Sequence, residues 1–256
     1  MRATQTTTYR SLQAFLDRTS ETMQQLQLQA ATGKRLNRPS DDPTAISPML
    51  SARTQIQSSE RYIETIQTGL ERVDNMEGFM TNIENTLVRA KEIAIASANG
   101  AMSQHDLITY ADEVSQLRET LLDSANGQVD GKYLFAGYSE KTKPFSGSPV
   151  TYNGDNGIQE FEIAPNELIE VSLNGANLML GDADNDGVTD AGAVNLFTVI
   201  DNLEANLRAG DISGIENDMA DLETAANQVR TQISMKGTVG RRLETALSNM
   251  EEFKID

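Results

Sequence analysis

Apolar residues spaced alternately four and three positions apart constrain this chain more than any other feature of its sequence. One such series follows Pro43 and continues to Ala98, and after Pro48, in the second turn, no strong helix breaker occurs before Gly100. Asp42 is a favoured N-cap residue, and Pro43 suits the first helical position because its missing N–H costs nothing there. An unbroken helix from Pro43 to Ala98 would be roughly 80 Å long. The segment therefore predicts a helical rod rather than a compact globule.

Three further long helices are predicted from the same spacing, at residues 8–32, 104–125 and 215–256. The last of them has the most regular series, in which only Lys236 and Gly240 are weak positions. Each such series forms a narrow apolar stripe, here called a seam, along one face of its helix. Seams of this kind allow two or three helices to pack side by side. Most of the chain is therefore expected to form an elongated, coiled-coil-like helical rod.

Residues 137–193 differ from the rest, with three prolines, many glycines and short alternating apolar and polar runs. Within them, residues 159–163 and 169–173 have the alternation of strands. A short helix at residues 196–207 then leads back to the rod. The predicted fold class is mainly α with a β insertion, a helical rod that carries a small β-rich domain.

Few side chains capable of chemistry are present. The chain has no cysteine and one histidine, His105, which excludes a thiolate nucleophile and a multi-histidine metal centre. Asp41 and Asp42 are better explained as a helix cap than as a catalytic pair, because adjacent helix-start residues do not face one another. We therefore predict that the protein is not an enzyme.

Charge and hydropathy exclude two classes of partner. The net charge of −17 repels nucleic-acid phosphate and anionic lipid, so no nucleic acid is expected to bind. The longest apolar stretch, residues 93–96, is far shorter than the roughly 20 residues that a bilayer requires. The first thirty residues lack the apolar core of a cleavable signal. No membrane insertion is expected, and any export must use a route that reads no such signal.

One segment has the spacing of a metal site. Four aspartates lie at alternating positions around Gly187, as carboxylates do in calcium-binding loops. They are Asp182, Asp184, Asp186 and Asp190. The bidentate glutamate at the twelfth position of an EF-hand is missing, because Ala193 occupies it. Two interpretations stay open, a calcium site on these aspartates or an acidic, solvated loop, and no other cofactor is predicted.

The first predicted helix differs from the others, because its apolar series is weak and its other faces are rich in glutamine. The joint at residues 39–43 separates it from the long second helix. A lone amphipathic helix is marginal in water and tends to order only on a partner helix, so an assembly role is predicted. The residues assigned to assembly are Leu12, Leu16, Met23, Leu26, Arg38, Pro39, Asp41, Asp42 and Pro43.

Four motifs carry a resemblance to a known family. They are GKRLNRPSDDP at 33–43, DGKYLFAGY at 130–138 followed by KPF at 143–145, YNGD at 152–155 and VGRRL at 239–243. With these motifs the sequence resembles the flagellin superfamily and, within it, the proteins of the hook–filament junction. The first two motifs are specific, and the four occur in order along nearly the whole chain.

The resemblance implies a structural protein of the bacterial flagellum, exported unfolded through the flagellar type III channel and assembled outside the cell between hook and filament. It implies hook-associated protein 1 and flagellin as neighbours, self-association in a ring and a flagellar export chaperone. Two alternatives remain. One is the flagellin filament subunit itself, and the other is a secreted calcium-binding adhesion module based on residues 182–190.

The resemblance also implies a division of the chain. Residues 1–42 form the N-terminal assembly helix and joint, 43–136 and 194–256 form the two parts of a helical rod, and 137–193 form an outward-facing β-rich insertion. Family members usually continue for several turns beyond the position of Asp256, in a helix that pairs with the first one. This C-terminal assembly helix is therefore expected to be absent here.

Overall fold

A computed structural model of the chain describes residues 2–33, 43–98 and 102–255. Its helices are α1 (Arg2–Thr32), α2 (Pro43–Ala98), α3 (Gln104–Ala125), α4 (Gly175–Leu180), α5 (Leu196–Ala209) and α6 (Ile212–Ile255). Its strands are β1 (Gln128–Val129), β2 (Lys132–Tyr133), β3 (Phe145–Ser146), β4 (Thr151–Tyr152), β5 (Glu160–Ala164) and β6 (Glu167–Glu170). The chain forms two compact units, Met1–Ser58 and Ser59–Asp256. In these described ranges, every helix is too short or too polar to cross a membrane.

The first unit holds α1 and the beginning of α2. The predicted helix at residues 8–32 is confirmed but begins six residues earlier, and Gly33 ends it with a φ of +66°, a conformation that favours glycine. Pro43 is the first residue of α2, as predicted. Among the side chains described in this unit, at 6–33 and 44–58, none is buried. Ile56 belongs to the apolar series predicted between Pro43 and Ala98, but its side chain is 41% exposed, so it is not a core residue of this unit.

The second unit is a bundle in which α2, α3, α5 and α6 run antiparallel to their neighbours. Glu84 pairs with Arg230 and Lys91 with Glu223, so residue numbers rise along α2 as they fall along α6. Similar pairs join α2 to α3 and α3 to α5. They are Arg89 with Glu113, Arg118 with Asp201, and Asp112 with Arg208. The charges follow the edges of the bundle and leave its centre apolar.

The predicted seams form the core of this bundle. From α2, the buried seam residues are Ile66, Val73, Met76, Met80, Ile83, Leu87, Ala90 and Ala94. From α3 they are Leu107, Ala111, Val114, Leu121 and Ala125, and from α6 they are Ile215, Leu222, Ala226, Val229 and Leu243. Three phenylalanines, Phe135, Phe145 and Phe197, are fully or nearly fully buried with them. The mainly helical fold class is confirmed.

The β structure is more fragmented than a single insertion. In the part of the chain that the structure describes, it consists of three separate antiparallel pairs, β1 with β2, β3 with β4 and β5 with β6. The first pair precedes the predicted boundary at residue 137. The predicted strand at 169–173 corresponds to β6, which is one residue shorter and begins two residues earlier. Just before β6, Asn166 adopts a φ of +63°, and the pairing of β5 with β6 is irregular between Glu162 and Ala164. The segment after Asn174, a predicted turn, is instead the short helix α4.

Gly69 of α2 and the weak seam position Lys236 of α6 lie where β5, β6 and the following segment pack on the bundle. A Cβ at Gly69 would lie 3.3 Å from Phe161 Cδ2 and 3.4 Å from Val171 Cγ1, so these side chains pack closely against the glycine. Lys236 is 6% exposed, and its Nζ donates to the carbonyl of Ser172 at 2.6 Å. Burial lowers the pKa of Lys236, while the charge of Glu170 opposes that change. The weak seam position predicted at Lys236 is thus a contact with the inserted segment.

A buried carboxylate near the turn between α5 and α6 makes stability depend on pH. Asp218 is 5% exposed and accepts a hydrogen bond from Asn206 Nδ2 at 2.7 Å. Burial raises its pKa, the charges of Asp221 and Asp211 add to this effect, and the hydrogen bond from Asn206 opposes it. A carboxyl group whose pKa is higher in the folded than in the unfolded state stabilises the fold fully at pH values below its pKa in the unfolded state. This contribution is lost as the pH rises through the folded value.

Asp218→Asn is therefore expected to raise the free energy of unfolding at pH 7 by up to about 1 kcal/mol, because the amide still accepts from Asn206 without carrying charge. The gain should shrink near pH 4, where the wild-type carboxyl is protonated more easily in the folded state. Urea unfolding at the two pH values measures it, with Asp74→Asn, which changes an exposed aspartate of α2, as the matched control. A larger gain at pH 4 than at pH 7 would contradict the assignment.

Candidate functional sites

The apolar stripe of α1 is exposed along its described length. Leu12 is 56% exposed, and Leu16, Met23 and Leu26 are each 59% exposed. Tyr9 and Phe15 are exposed as well, at 70% and 65%. Scattered exposed apolar residues are normal, whereas these side chains follow one face of a 31-residue helix. The predicted assembly residues of α1 thus lie together on one accessible face.

The other predicted assembly residues fall in the joint. Arg38, Pro39, Asp41 and Asp42 lie outside the described residues, so their assignment stays a prediction. Pro43 is described only as the first residue of α2.

The motif at residues 130–138 is built around the carboxylate of Asp155. Asp155 Oδ1 accepts from the backbone N–H of Tyr138 at 2.7 Å and of Gly157 at 2.8 Å, and Oδ2 accepts from Ser139 Oγ at 2.7 Å. Burial alone would raise the pKa of Asp155, but these hydrogen bonds outweigh it and lower the pKa. The carboxylate therefore ties the second sequence motif to the third.

Gly137 makes this contact between the two motifs possible. Its φ is +70°, and a Cβ there would collide with both Asp155 Oδ1 and the Asp155 carbonyl. The hydroxyl of Tyr152 lies 3.0 Å from the carbonyls of Phe135 and Asp155. We call Gly137, Tyr152 and Asp155 the motif hub. The sequence indicated each motif separately but not the contact between them. A glycine next to a turn, Gly137, is the local feature that could have suggested such a close approach.

The structure brings together three of the four aspartates predicted to bind calcium. Carboxylate oxygens of Asp182, Asp184 and Asp186 all lie within 4.8 Å of one another. Asp190 is used differently, since its Oδ2 accepts from the backbone N–H of Ala183 at 2.8 Å. The buried Asp182 also serves the loop, because its two oxygens accept from the N–H groups of Asp186 and Gly187. The loop is thus organised by its own carboxylates, and calcium binding stays a prediction.

Calcium binding can be tested directly on this loop. If the three carboxylates bind Ca²⁺, titration should release or absorb heat and raise the melting temperature, because bound ion stabilises only the folded state. Both effects should disappear in D184N/D186N, which removes two exposed charges and leaves Asp182 in place. E251Q/E252Q, a change of two exposed carboxylates on α6, is the matched control. A wild-type titration without heat or thermal shift would leave the loop a solvated turn.

Comparison with known proteins places these features in a family. Residues 4–140 match the family described as bacterial flagellin N-terminal helical region. The chain belongs to this flagellin family, as the four motifs indicated.

Individual relatives include a flagellar hook-associated protein and a flagellin. The chain is 28% identical to flagellar hook-associated protein 3 of Escherichia coli, over 88% of this chain and 73% of that protein. It is 25% identical to flagellin of Bacillus subtilis, over 86% of this chain and 72% of that protein. Among solved structures, flagellar hook-associated protein 3 of Legionella pneumophila shares the fold with a TM-score of 0.70 at 18% identity. That match covers 80% of this chain and 95% of the Legionella chain.

Proposed function

We propose that this chain is the subunit that joins hook and filament in a bacterial flagellum. The proposal is carried by the exposed apolar face of α1 in a chain whose relatives include flagellar hook-associated protein 3. A helix of this kind gains most of its stability from burial against another helix. Burying one leucine side chain contributes about 2 kcal/mol, so pairing along the whole stripe supplies ample energy for polymerisation.

In this role the chain works mechanically and needs no catalytic group. It leaves the cell through the flagellar type III channel with the help of an export chaperone, and it polymerises through its terminal helices into a ring. Hook-associated protein 1 is its neighbour on the hook side and flagellin its neighbour on the filament side. The absence of cysteine suits a chain that crosses the export channel unfolded, because it cannot cross-link on the way.

A strain that lacks this chain tests the proposal. Such cells should still carry hooks, bear no filaments and release unpolymerised flagellin into the medium, because filament growth has no base. Electron microscopy counts hooks and filaments, and immunoblotting measures flagellin in the medium. Full-length filaments on the deletion strain would overturn the proposal.

The same strain distinguishes a second candidate, the filament subunit itself, which the similarity to Bacillus subtilis flagellin favours. Loss of a filament subunit also removes filaments, but then no flagellin accumulates outside the cell. Expression of the chain from a plasmid should restore filaments in either case and serves as the control for secondary mutations.

A further inference from the structure

Four Asn-Gly pairs lie among the described residues, at 126–127, 153–154, 156–157 and 174–175. In such a pair the backbone nitrogen of glycine reaches the side-chain amide of asparagine, because glycine carries no side chain that blocks the approach. Hydrogen bonds that hold the glycine N–H or the asparagine side chain slow this attack, since they must break first. The fold therefore decides which pair reacts.

The glycine N–H is held in three of these pairs. Gly127 donates its N–H to a carbonyl in the last turn of α3 at 3.1 Å, and Gly157 donates to Asp155 Oδ1 at 2.8 Å. Gly175 is buried and donates its N–H to the hydroxyl oxygen of Tyr152. None of these three nitrogens is free to attack without a prior opening of the fold.

The side chains of the same three asparagines are held as well. Asn126 makes three hydrogen bonds, two as a donor and one as an acceptor. Asn174 Nδ2 donates to Asn156 Oδ1 at 3.0 Å. Asn156 Nδ2 also donates to the carbonyl of Asp184, and Asn174 Oδ1 accepts from the N–H of Ala176, both at 2.9 Å. Each of the three side chains thus has at least two hydrogen bonds to lose.

The pair at 153–154 lacks most of these restraints. Asn153 is exposed, and its side chain makes one hydrogen bond, from Nδ2 to Ser146 Oγ at 2.8 Å. The N–H of Gly154 has no hydrogen-bond partner among the described residues. A Cβ at Gly154 would lie 2.3 Å from the hydroxyl oxygen of Tyr152, so the motif hub leaves no room for a side chain after Asn153. The reactive pair is therefore part of how the hub is built.

From this exposed and weakly held pair, we propose that Asn153 is a site of spontaneous deamidation in the folded chain. The nitrogen of Gly154 loses its proton to water and bonds to Asn153 Cγ, and the Cγ–Nδ2 bond breaks. The amide group takes a proton from water and leaves as ammonia. A second water then opens the succinimide ring at one of its two carbonyls, which yields aspartate or isoaspartate. The proposal does not depend on the role at the hook–filament junction.

The modification alters the motif hub. Both products replace the Nδ2 donor of Asn153 with a carboxylate, so the hydrogen bond to Ser146 in its present form is lost. Isoaspartate also inserts one methylene into the main chain between Tyr152 and Asp155, two members of the hub. The aged chain is therefore expected to melt at a lower temperature than the fresh chain.

Peptide mapping of the full folded chain, stored in mildly alkaline buffer, tests the proposal. A protease that cleaves before aspartate releases residues 130–154, in which Asn153 is the only asparagine. Isoaspartate should make this fragment one mass unit heavier. Aspartate should create a new fragment, 130–152, because the protease also cleaves before the new residue. Mass spectrometry at successive times gives the rate.

The other three pairs are the internal comparison, since they lie in the separate fragments 123–129 and 155–181. In the folded chain Asn153 should react at least about tenfold faster than each of them, because they lose several hydrogen bonds on the way. In the chain denatured by guanidinium chloride, all four pairs should react at similar rates, since glycine follows each asparagine. Equal rates in the folded chain, or the same ratios in both states, would overturn the proposal.

Asn153→Gln should stay unmodified at this position over the same time, because its longer side chain forms the larger ring more slowly, and it should keep its melting temperature on storage. Asn249→Gln, the same change at an exposed asparagine of α6, is the matched control and should age as the wild type does. Equal loss of thermal stability in stored Asn153→Gln and wild type would contradict the effect on the motif hub. If Asn153→Gln does not fold, the wild-type peptide map decides alone.

Discussion

Replacing Leu16 and Met23 by glutamate is expected to abolish filament attachment and to leave the stability of the purified subunit unchanged. Both side chains are 59% exposed in the subunit, so they contribute little to its own folding. In an assembly they would be buried, and each substitution then loses about 2 kcal/mol of apolar burial and adds the cost of an unpaired charge. Motility, filament counts by electron microscopy and calorimetric melting measure the two effects.

The matched control is Ala14→Glu with Gln25→Glu. These residues lie on the opposite face of α1, and the double variant adds the same number of charged side chains to the same helix. It should keep filaments and motility. If both double variants lose filaments equally, the defect arises from charge or export rather than from the apolar stripe.

Gly137→Ala is expected to cause a large loss of stability in the second unit. Alanine at this position would have to adopt a φ of +70°. Its Cβ would also collide with the carboxylate and the carbonyl of Asp155. We expect the free energy of unfolding to fall by about 4 kcal/mol, since strain and the broken motif hub add together. Urea denaturation followed by circular dichroism measures the change.

Gly131→Ala separates the two causes. Gly131 has a similar φ of +74°, but no atom lies within 4 Å of the Cβ that alanine would add. Backbone strain alone should therefore cost about 1 kcal/mol there. Equal losses at Gly131 and Gly137 would show that contact with Asp155 contributes nothing.

The helices could be predicted closely because their signals are local. Pro43 fixed the start of α2 and Gly33 the end of α1, and α3 covers residues 104–125 as expected. The apolar seams also identified most of the bundle core. Ile56 shows the limit of this reasoning, because a seam pattern indicates which face is apolar and does not reveal whether a neighbour covers it.

The β pairs and the polar networks could not be predicted as well, for physical reasons. Strands of two residues, such as β1 and β3, are too short to show alternation. The contact of Arg72 with Glu140 joins residues 68 positions apart, and nothing in either local sequence marks it. Likewise, the spacing of the aspartates indicated a site, but only the structure shows that Asp190 holds the backbone of the loop instead.

The buried lysine of α6 has a consequence for how the inserted segment can evolve. Lys236 holds that segment through the backbone carbonyl of Ser172, and every amino acid supplies such a carbonyl. The bond from Lys236 therefore does not itself depend on the side chain at position 172, although that side chain, the buried Ser172 hydroxyl, accepts from the backbone N–H of Gln159. Exposed residues of the inserted segment can therefore change while this bond to the bundle stays the same.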